Sequence, residues 1–124
     1  MGVRFSKKLR RVWAMSTAPG VSPVLRYMTS ANELSRKHMN ALIAHVDEYG
    51  FHHSQKRYRH IDGPIVELKV KDPKAIRVLA YRLPDNGHVL LLGFDKGDGP
   101  IPSQIMKRAR DMAREFEEGG MQCD

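Results

Sequence analysis

The sequence has a single cysteine and no long apolar run, and these absences exclude several classes of protein. Cys123 is the one cysteine of the 124 residues, so no disulfide can form within the chain. No CxxC or HExxH pattern is present, so the sequence supports neither a metal site nor a cofactor. No run of about 18 apolar residues occurs, and no membrane span is therefore expected.

The two ends of the chain and its net charge indicate its location, its domain boundaries and the class of its partner. No apolar segment follows the basic N-terminus, so no signal peptide is expected, and together with the lone cysteine this indicates a cytoplasmic protein. We expect residues 1–11 to form a mobile basic arm, residues 12–118 a single domain and residues 119–124 a flexible tail. The chain carries 21 Lys and Arg against 14 Asp and Glu, a net charge of +7, which indicates nucleic acid, a membrane surface or an acidic protein as partner.

Three short apolar runs between residues 64 and 96 predict an antiparallel meander. They are separated by Asp72-Pro73-Lys74 and by Pro84-Asp85-Asn86-Gly87, and Asn-Gly between apolar runs is a strong hairpin signal. A two-residue loop at Asn86-Gly87 would place Arg77 opposite Lys96.

The same counting gives the other cross-strand pairs and the two faces of the sheet. It places Tyr81 opposite Leu92, and a three-residue loop at 72–74 places Lys69 opposite Arg77. One predicted face holds Val66, Leu68, Val70, Ile76, Val78, Ala80, Val89 and Leu91. The other holds Glu67, Lys69, Lys71, Arg77, Leu79, Tyr81, Leu90, Leu92, Phe94 and Lys96.

Cations on the second face gather at one end of the sheet. Lys69, Arg77 and Lys96 are predicted to form a row across three strands, although like charges directly opposite each other destabilise a sheet. A polyanionic ligand is the natural reason for such a row. Tyr81 lies nearer the apolar end, where we expect it to pack.

Helical patterns flank the meander. Ser22 and Pro23 begin a short helix that runs to about Met28, and Ser30 with Glu33 predicts a capping box for a second helix that ends near Gly50. The predicted apolar stripe of that second helix is Leu34, His38, Ala41, Leu42, His45, Val46 and Tyr49, with both histidines packed and neutral. A final helix begins at Pro102 or Ser103 and ends at Gly119.

These elements predict an α+β fold. It consists of a small twisted antiparallel sheet, made of an N-terminal strand at residues 12–15 and the three-stranded meander. The two N-terminal helices lie on one face of the sheet, and a C-terminal helix completes the domain.

A second group of cations precedes the meander. Segment 51–60 contains Lys56, Arg57 and Arg59 with Phe51 and Tyr58 interleaved, which suits a nucleic-acid surface. The predicted RNA-binding residues are these three cations and Lys71. A charged, solvated loop would have the same composition, so both interpretations stay open.

Several local patterns resemble the RelE/ParE superfamily of bacterial toxins, and most of all its HigB-type, phage-derived branch. The resemblance covers about residues 12 to 116. The patterns are GVSPV at 20–24, IDGPIVELK at 61–69, RVL at 77–79, LGFDK at 92–96 and PSQIMKRA at 102–109. The chain departs from the family pattern with a lysine at Lys69, where the family has arginine, and with Gly97, Asp98 and Pro100 in a stretch where the family carries lysines.

The resemblance implies the toxin of a type II toxin–antitoxin system. Such a toxin cleaves mRNA, commonly on the ribosome, and is neutralised by a cognate antitoxin that is often a helix-turn-helix protein. Lys69, Arg77 and Lys96 fall on basic positions of the family and are the implied catalytic residues. In transesterification Arg77 would clamp the phosphate, and Lys69, flanked by like charges that disfavour its charged form, would be a candidate base. Lys96 would hold a neighbouring phosphate or assist the leaving oxygen.

Two other functions are compatible with the same residues. The protein could be a non-catalytic binding module of this fold or a topoisomerase inhibitor, which the changes at residues 97–101 favour. A general nucleic-acid-binding protein, led by the basic arm and segment 51–60, is the third interpretation and predicts steeply salt-dependent binding to any RNA or DNA.

Overall fold

The computed structural model describes residues 2–4, 11–50, 57–70, 75–97 and 99–119 of the chain. In chain order its elements are β1 (Gly2–Arg4), β2 (Val12–Met15), α1 (Pro23–Ser30), α2 (Glu33–Tyr49), β3 (Tyr58–Asp62), β4 (Ile65–Lys69), β5 (Ile76–Arg82), β6 (His88–Asp95) and α3 (Ser103–Gly119). The α+β class, the order of its helices and the meander of β4, β5 and β6 are confirmed. The tail after Gly119 lies outside the described residues.

The sheet has the order β1-β2-β6-β5-β4-β3. Neighbouring strands are antiparallel except for β2 and β6, which run parallel with Trp13 beside Val89. The sheet is therefore mixed, and the prediction that it is antiparallel throughout is wrong. A parallel pair requires a long crossover, and here α1, α2 and the rest of the meander provide it. Strands β1 and β3 are additions to the predicted set. They lie at the two ends of the sheet, in segments that their composition marked as basic arm and basic loop.

Both faces of the sheet are covered, and each has its own apolar core. Helices α1 and α2 bury one face, with Met39, Leu42 and Val46 of α2 in the same cluster as Leu68 and Val78 of the sheet. Helix α3 covers the other face through Met106, Met112 and Phe116. Because both faces are buried, β6 reads as a continuous buried run from His88 to Leu92 rather than as an alternating strand.

Helix α2 does not begin with the predicted capping box of Ser30 and Glu33, so this prediction is wrong. Ser30 is the last residue of α1, and its hydroxyl donates to the Tyr27 carbonyl. Asn32 is the N-cap of α2, and its Oδ1 accepts from the Ser35 amide at 2.8 Å. At the start of α1 the predicted cap is confirmed, because the Ser22 side chain accepts from the Leu25 amide and Pro23 occupies the first turn.

The buried stripe of α2 is also displaced from the predicted one. The buried residues are Ser35, Met39, Leu42, Ile43, Val46 and Asp47. Leu34 and Tyr49 are 55% and 54% exposed, so their assignment to the core is wrong. His45 is exposed, with its ring 4.9 Å from that of Tyr49, and His38 is half-buried.

The turn before β6 is longer than a two-residue loop. The Leu83 amide donates to the Gly87 carbonyl and the Asn86 amide to the Leu83 carbonyl, with Asn86 at φ +66°. The chain therefore forms a β-turn that ends in a left-handed residue, which is the geometry of a longer hairpin loop. Tyr81 consequently lies opposite Val89 instead of Leu92.

A β-bulge between Leu79 and Ala80 then changes the register by one residue, so that Leu79 lies opposite Leu92 and Arg77 opposite Phe94. Between the turn and the bulge the register differs from the predicted one by an odd number of residues, so each side chain of β6 there points to the face opposite to the predicted one. Leu90 therefore joins the core under α1 and α2, whereas Val89 and Leu91 join the core under α3. The predicted faces of these three residues are wrong. The bulge adds one residue to β6. From Leu92 onward the side chains return to the predicted faces.

Gly50 ends α2 in a conformation that other residues avoid, and replacing it should destabilise the fold. Its φ of +75° and ψ of −167° belong to a region populated almost only by glycine, and a Cβ there would collide with the side-chain amide of Asn86. We expect Gly50→Ala to lower the free energy of unfolding by about 2 kcal/mol, measured by urea denaturation.

Gly20 provides the matched control for this substitution. Its φ is +73°, but apart from its chain neighbours no atom of the described residues lies within 4 Å of the position that a Cβ would take. Gly20→Ala should therefore show the backbone strain without the collision and be less costly. Combining Gly50→Ala with Asn86→Gly should recover the steric part. If Gly50→Ala has no greater effect than Gly20→Ala, the contact with Asn86 is unimportant.

Candidate functional site

Lys69 and Arg77 lie directly opposite each other on neighbouring strands, as predicted. Each follows a residue of the core under α1 and α2, so each side chain points to the opposite face, where α3 packs. Both residues are half-buried. Two cations in this position repel each other across the strand pair, and the arrangement therefore favours an anionic neighbour.

Lys96 shares this face but is not opposite Arg77. Phe94 occupies that position, and the Lys96 amide donates to the Ala75 carbonyl at 3.0 Å, two residues farther along. The predicted pairing of Arg77 with Lys96 is therefore wrong. Because the displacement is an even number of residues, the three cations still lie on one face at one end of the sheet. We call Lys69, Arg77 and Lys96 the basic cluster.

Helix α3 packs at the other end of these strands. Phe116 of α3 lies 5.1 Å, centroid to centroid, from the ring of Tyr81, and Arg110 donates to Asp62 at 3.0 Å. Tyr81 is the partner of Ile65 at the far end of β4, four residues from Lys69. These two contacts lie at the end of the face away from the basic cluster, whereas Phe94, directly opposite Arg77, is buried in the same apolar cluster as Met106 of α3.

Tyr81 is held in packing contacts rather than in the basic cluster. Its hydroxyl donates to Glu117 Oε2 at 2.8 Å. Burial raises the pKa of Tyr81 to about 12, and the hydrogen bond to Glu117 and the charge of that carboxylate act in the same direction. A phenol with such a pKa is a weak general acid near neutral pH. The expected packing role is confirmed.

A buried carboxylate adjoins the basic cluster. The Glu67 side chain is fully buried, and its Oε1 lies 3.4 Å from Arg59 Nε and 4.0 Å from Arg77 Nε. Glu67 is directly opposite Arg59 on β3 and lies two residues before Lys69 on β4. Strand alternation put it on the cationic face, but no pattern indicated that it would be buried between two arginines from different strands.

Of the predicted RNA-binding residues, the structure places Arg59 beside the basic cluster. Arg59 lies on edge strand β3, and 49% of its side chain is exposed. Arg57 is exposed, and its carbonyl accepts from the Lys69 amide at 2.7 Å. Lys56 and Lys71 lie outside the described residues.

Comparisons with known proteins give no family for this chain. No protein-family model matches it, and no curated protein matches it. Within the described residues, no group of three or more His, Cys, Asp or Glu side chains is placed to hold a metal ion. None of the helices in the described ranges combines the length and apolarity needed to cross a membrane. The geometry of the basic cluster is therefore the main evidence on function.

Proposed function

We propose that this protein is the toxin of a type II toxin–antitoxin system, a HigB-like, RelE-type ribonuclease that cleaves mRNA during translation in the cytoplasm. The observation that carries the proposal is the direct opposition of Lys69 and Arg77 on β4 and β5, with Lys96 on the same face. The resemblance of segments 61–69, 77–79 and 92–96 to the toxin family supports it, since these segments contain the three cations.

Cleavage of RNA by transesterification requires the 2′-hydroxyl to lose a proton, the pentacoordinate phosphorus to be stabilised and the leaving 5′-oxygen to gain a proton. Fixed cations in a partly buried site supply most of the electrostatic stabilisation. Arg77 is suited to bind two phosphate oxygens because its guanidinium is planar and permanently charged. In this proposal Lys69 receives the 2′-hydroxyl proton, and Lys96 binds an adjacent phosphate or assists the departing oxygen.

The same surface suits the proposed cognate antitoxin. An acidic segment of a small helix-turn-helix protein that covered the basic cluster would block access of RNA and would offset part of the net charge of +7. Arg59, half exposed at the edge of the sheet, would extend the contact to RNA.

Replacing Arg77 with lysine tests the proposal because it keeps the charge but removes the planar, bidentate donor. We expect Arg77→Lys to reduce mRNA cleavage in a purified translation system by at least about 10-fold and to relieve growth arrest when the gene is expressed alone. Arg108→Lys, the same change at an exposed position of α3, is the matched control and should remain active. A folded Arg77→Lys protein with unchanged cleavage would refute this assignment.

A non-catalytic binding module of the same fold is the second candidate. The burial of Arg77, of whose side chain 17% is exposed, and its proximity to Glu67 favour a structural role for the arginine. The sequence after Lys96 also lacks the additional lysines of the family pattern. If the purified wild-type protein arrests growth without cleaving mRNA in the translation system, this candidate or topoisomerase inhibition replaces the ribonuclease.

A further inference from the structure

Glu67 is unusual among the carboxylates of the described residues because it is fully buried and accepts no hydrogen bond there. Neither Oε1 nor Oε2 has a hydrogen-bond partner in that part of the chain. Removal of a charge from water is costly unless an opposite charge and hydrogen bonds compensate. Among the described residues, the cations paired with it are the two arginine side chains Arg59 and Arg77.

The contacts of Arg77 with Glu67 and Ile76 use part of the hydrogen-bonding capacity of its guanidinium. Its Nε is buried and lies 4.0 Å from Glu67 Oε1, and its Nη1 donates to the Ile76 carbonyl at 3.1 Å. A guanidinium has five N–H donors, so three are not used by these two contacts. Because Nε is inaccessible to solvent, the exposed 17% of the side chain belongs to its other atoms.

We propose that Glu67 is the positioning residue of the basic cluster, and that its buried carboxylate orients the Arg77 guanidinium to present unused N–H donors to a backbone phosphate of RNA. This inference rests on the proposed function. Arg59, on the strand at the other side of β4, lies 3.4 Å from the same carboxylate oxygen. Glu67 itself is buried and does not touch the substrate.

A purely structural ion pair is the competing explanation, and it differs from this proposal in what it predicts for the rate of cleavage. A pair that serves stability alone is best replaced by apolar residues, since burial of ions costs about as much as their attraction returns. Glu67 instead lies on the interior strand β4, two residues before Lys69, on a face whose other end is apolar. Its charge also limits the repulsion between Arg77 and Lys69.

Glu67→Gln removes the negative charge with little change in the shape of the side chain. It therefore separates the orientation of the Arg77 guanidinium from the electrostatic attraction of RNA. We expect the maximal rate of single-turnover mRNA cleavage to fall about 10-fold. The protein concentration that gives half of this rate should not rise, because loss of the carboxylate makes the net charge of the variant more positive by one. Glu115→Gln changes the net charge equally at an exposed position of α3 and should affect neither quantity. In a protein that already carries Arg77→Lys, Glu67→Gln should have no further effect on the rate.

A second measurement does not depend on cleavage. The Nε–H NMR signal of Arg77, identified by its loss in Arg77→Lys, should shift on addition of inorganic phosphate to the wild type and to Glu115→Gln. In Glu67→Gln it should shift much less. Equal phosphate-induced shifts in Glu67→Gln and wild type, or an unchanged maximal rate of cleavage in Glu67→Gln, would overturn the role of Glu67.

These results also distinguish the two proposals. A wild-type protein that cleaves no mRNA would refute the ribonuclease, and the phosphate titration would still decide whether Glu67 orients Arg77. If Glu67→Gln does not fold, Glu67→Asp replaces it, since it keeps the charge but withdraws the carboxylate by one methylene. The same lower maximal rate is then expected, and a rate equal to that of the wild type would refute the inference.

Discussion

Gly93→Ala should lower the free energy of unfolding by about 3 kcal/mol, the largest steric effect that we expect in this chain. Gly93 lies in β6 opposite Val78, beneath the ring of Tyr27 from α1. A Cβ at this position would lie 2.9 Å from Cγ and 3.0 Å from Cε2 of that ring, and it would collide with the atom between them. These atoms belong to the body of the ring, so they cannot move aside as the end of a flexible chain can.

The orientation of Tyr27 is fixed from its other end as well. Its hydroxyl donates to the Asp95 carboxylate at the end of β6. Displacement of the ring by a new methyl group would therefore also strain this hydrogen bond. Asp95 immediately precedes Lys96, so the contact between α1 and β6 supports the strand end that carries one cation of the basic cluster.

Urea denaturation of matched variants checks this prediction. Gly97→Ala is the control, because apart from its chain neighbours no atom of the described residues lies within 4 Å of a Cβ at Gly97. It should change stability by less than about 0.5 kcal/mol. In a Tyr27→Ala background, Gly93→Ala should lose most of its effect, which gives a coupling energy of about 2 kcal/mol. Similar unfolding midpoints for Gly93→Ala and Gly97→Ala would contradict the proposed collision.

The fold was predictable where a strong local signal existed. Alternation of apolar residues and the break at residues 72–74 gave β4, β5 and the pairing of Lys69 with Arg77, because that register aligns both apolar faces. The longer turn before β6 was not predictable from Asn86-Gly87, since a left-handed asparagine suits both a two-residue loop and a β-turn followed by a bulge. A bulge leaves no mark in the alternation of a strand that is buried on both faces.

The candidate site was predictable in its cations but not in its carboxylate. Lys69 and Arg77 are brought together by two strands that are close in sequence. Lys96 lies on the predicted face because the register of β6 at this point differs from the predicted one by an even number of residues. The pairing of Glu67 with Arg59 requires β3, which lies in a segment whose charged composition is equally typical of a loop. Burial of Glu67 results from its position on a central strand between two neighbours, a property of the strand order rather than of the local sequence.

The stability of the protein should fall by about 3 kcal/mol between pH 8 and pH 4 through one side chain, His88. The side chain of His88 is fully buried at the start of β6, where its amide donates to the Arg11 carbonyl at 2.8 Å. Burial lowers the pKa of His88 from 6.5 to about 4, and the charge of Arg82 acts in the same direction, whereas a backbone hydrogen bond at Asn86 and the charge of Asp85 oppose it.

The sign of this effect follows from where the proton binds. Between pH 6.5 and pH 4 the unfolded chain binds a proton at His88 and the folded chain does not, so acid favours unfolding. The contribution is complete above pH 6.5 and is lost as the pH falls towards 4. Each pKa unit corresponds to about 1.4 kcal/mol, which gives the expected total.

Comparison of variants isolates this contribution from other groups that titrate in the same range. His88→Gln replaces the imidazole with a side chain that does not titrate, so its free energy of unfolding should fall by about 3 kcal/mol less than that of the wild type between pH 8 and pH 4. His45→Gln, at an exposed position of α2, is the control and should retain the wild-type dependence on pH. Parallel pH profiles for His88→Gln and the wild type would show that His88 titrates normally, because its environment admits the charged form.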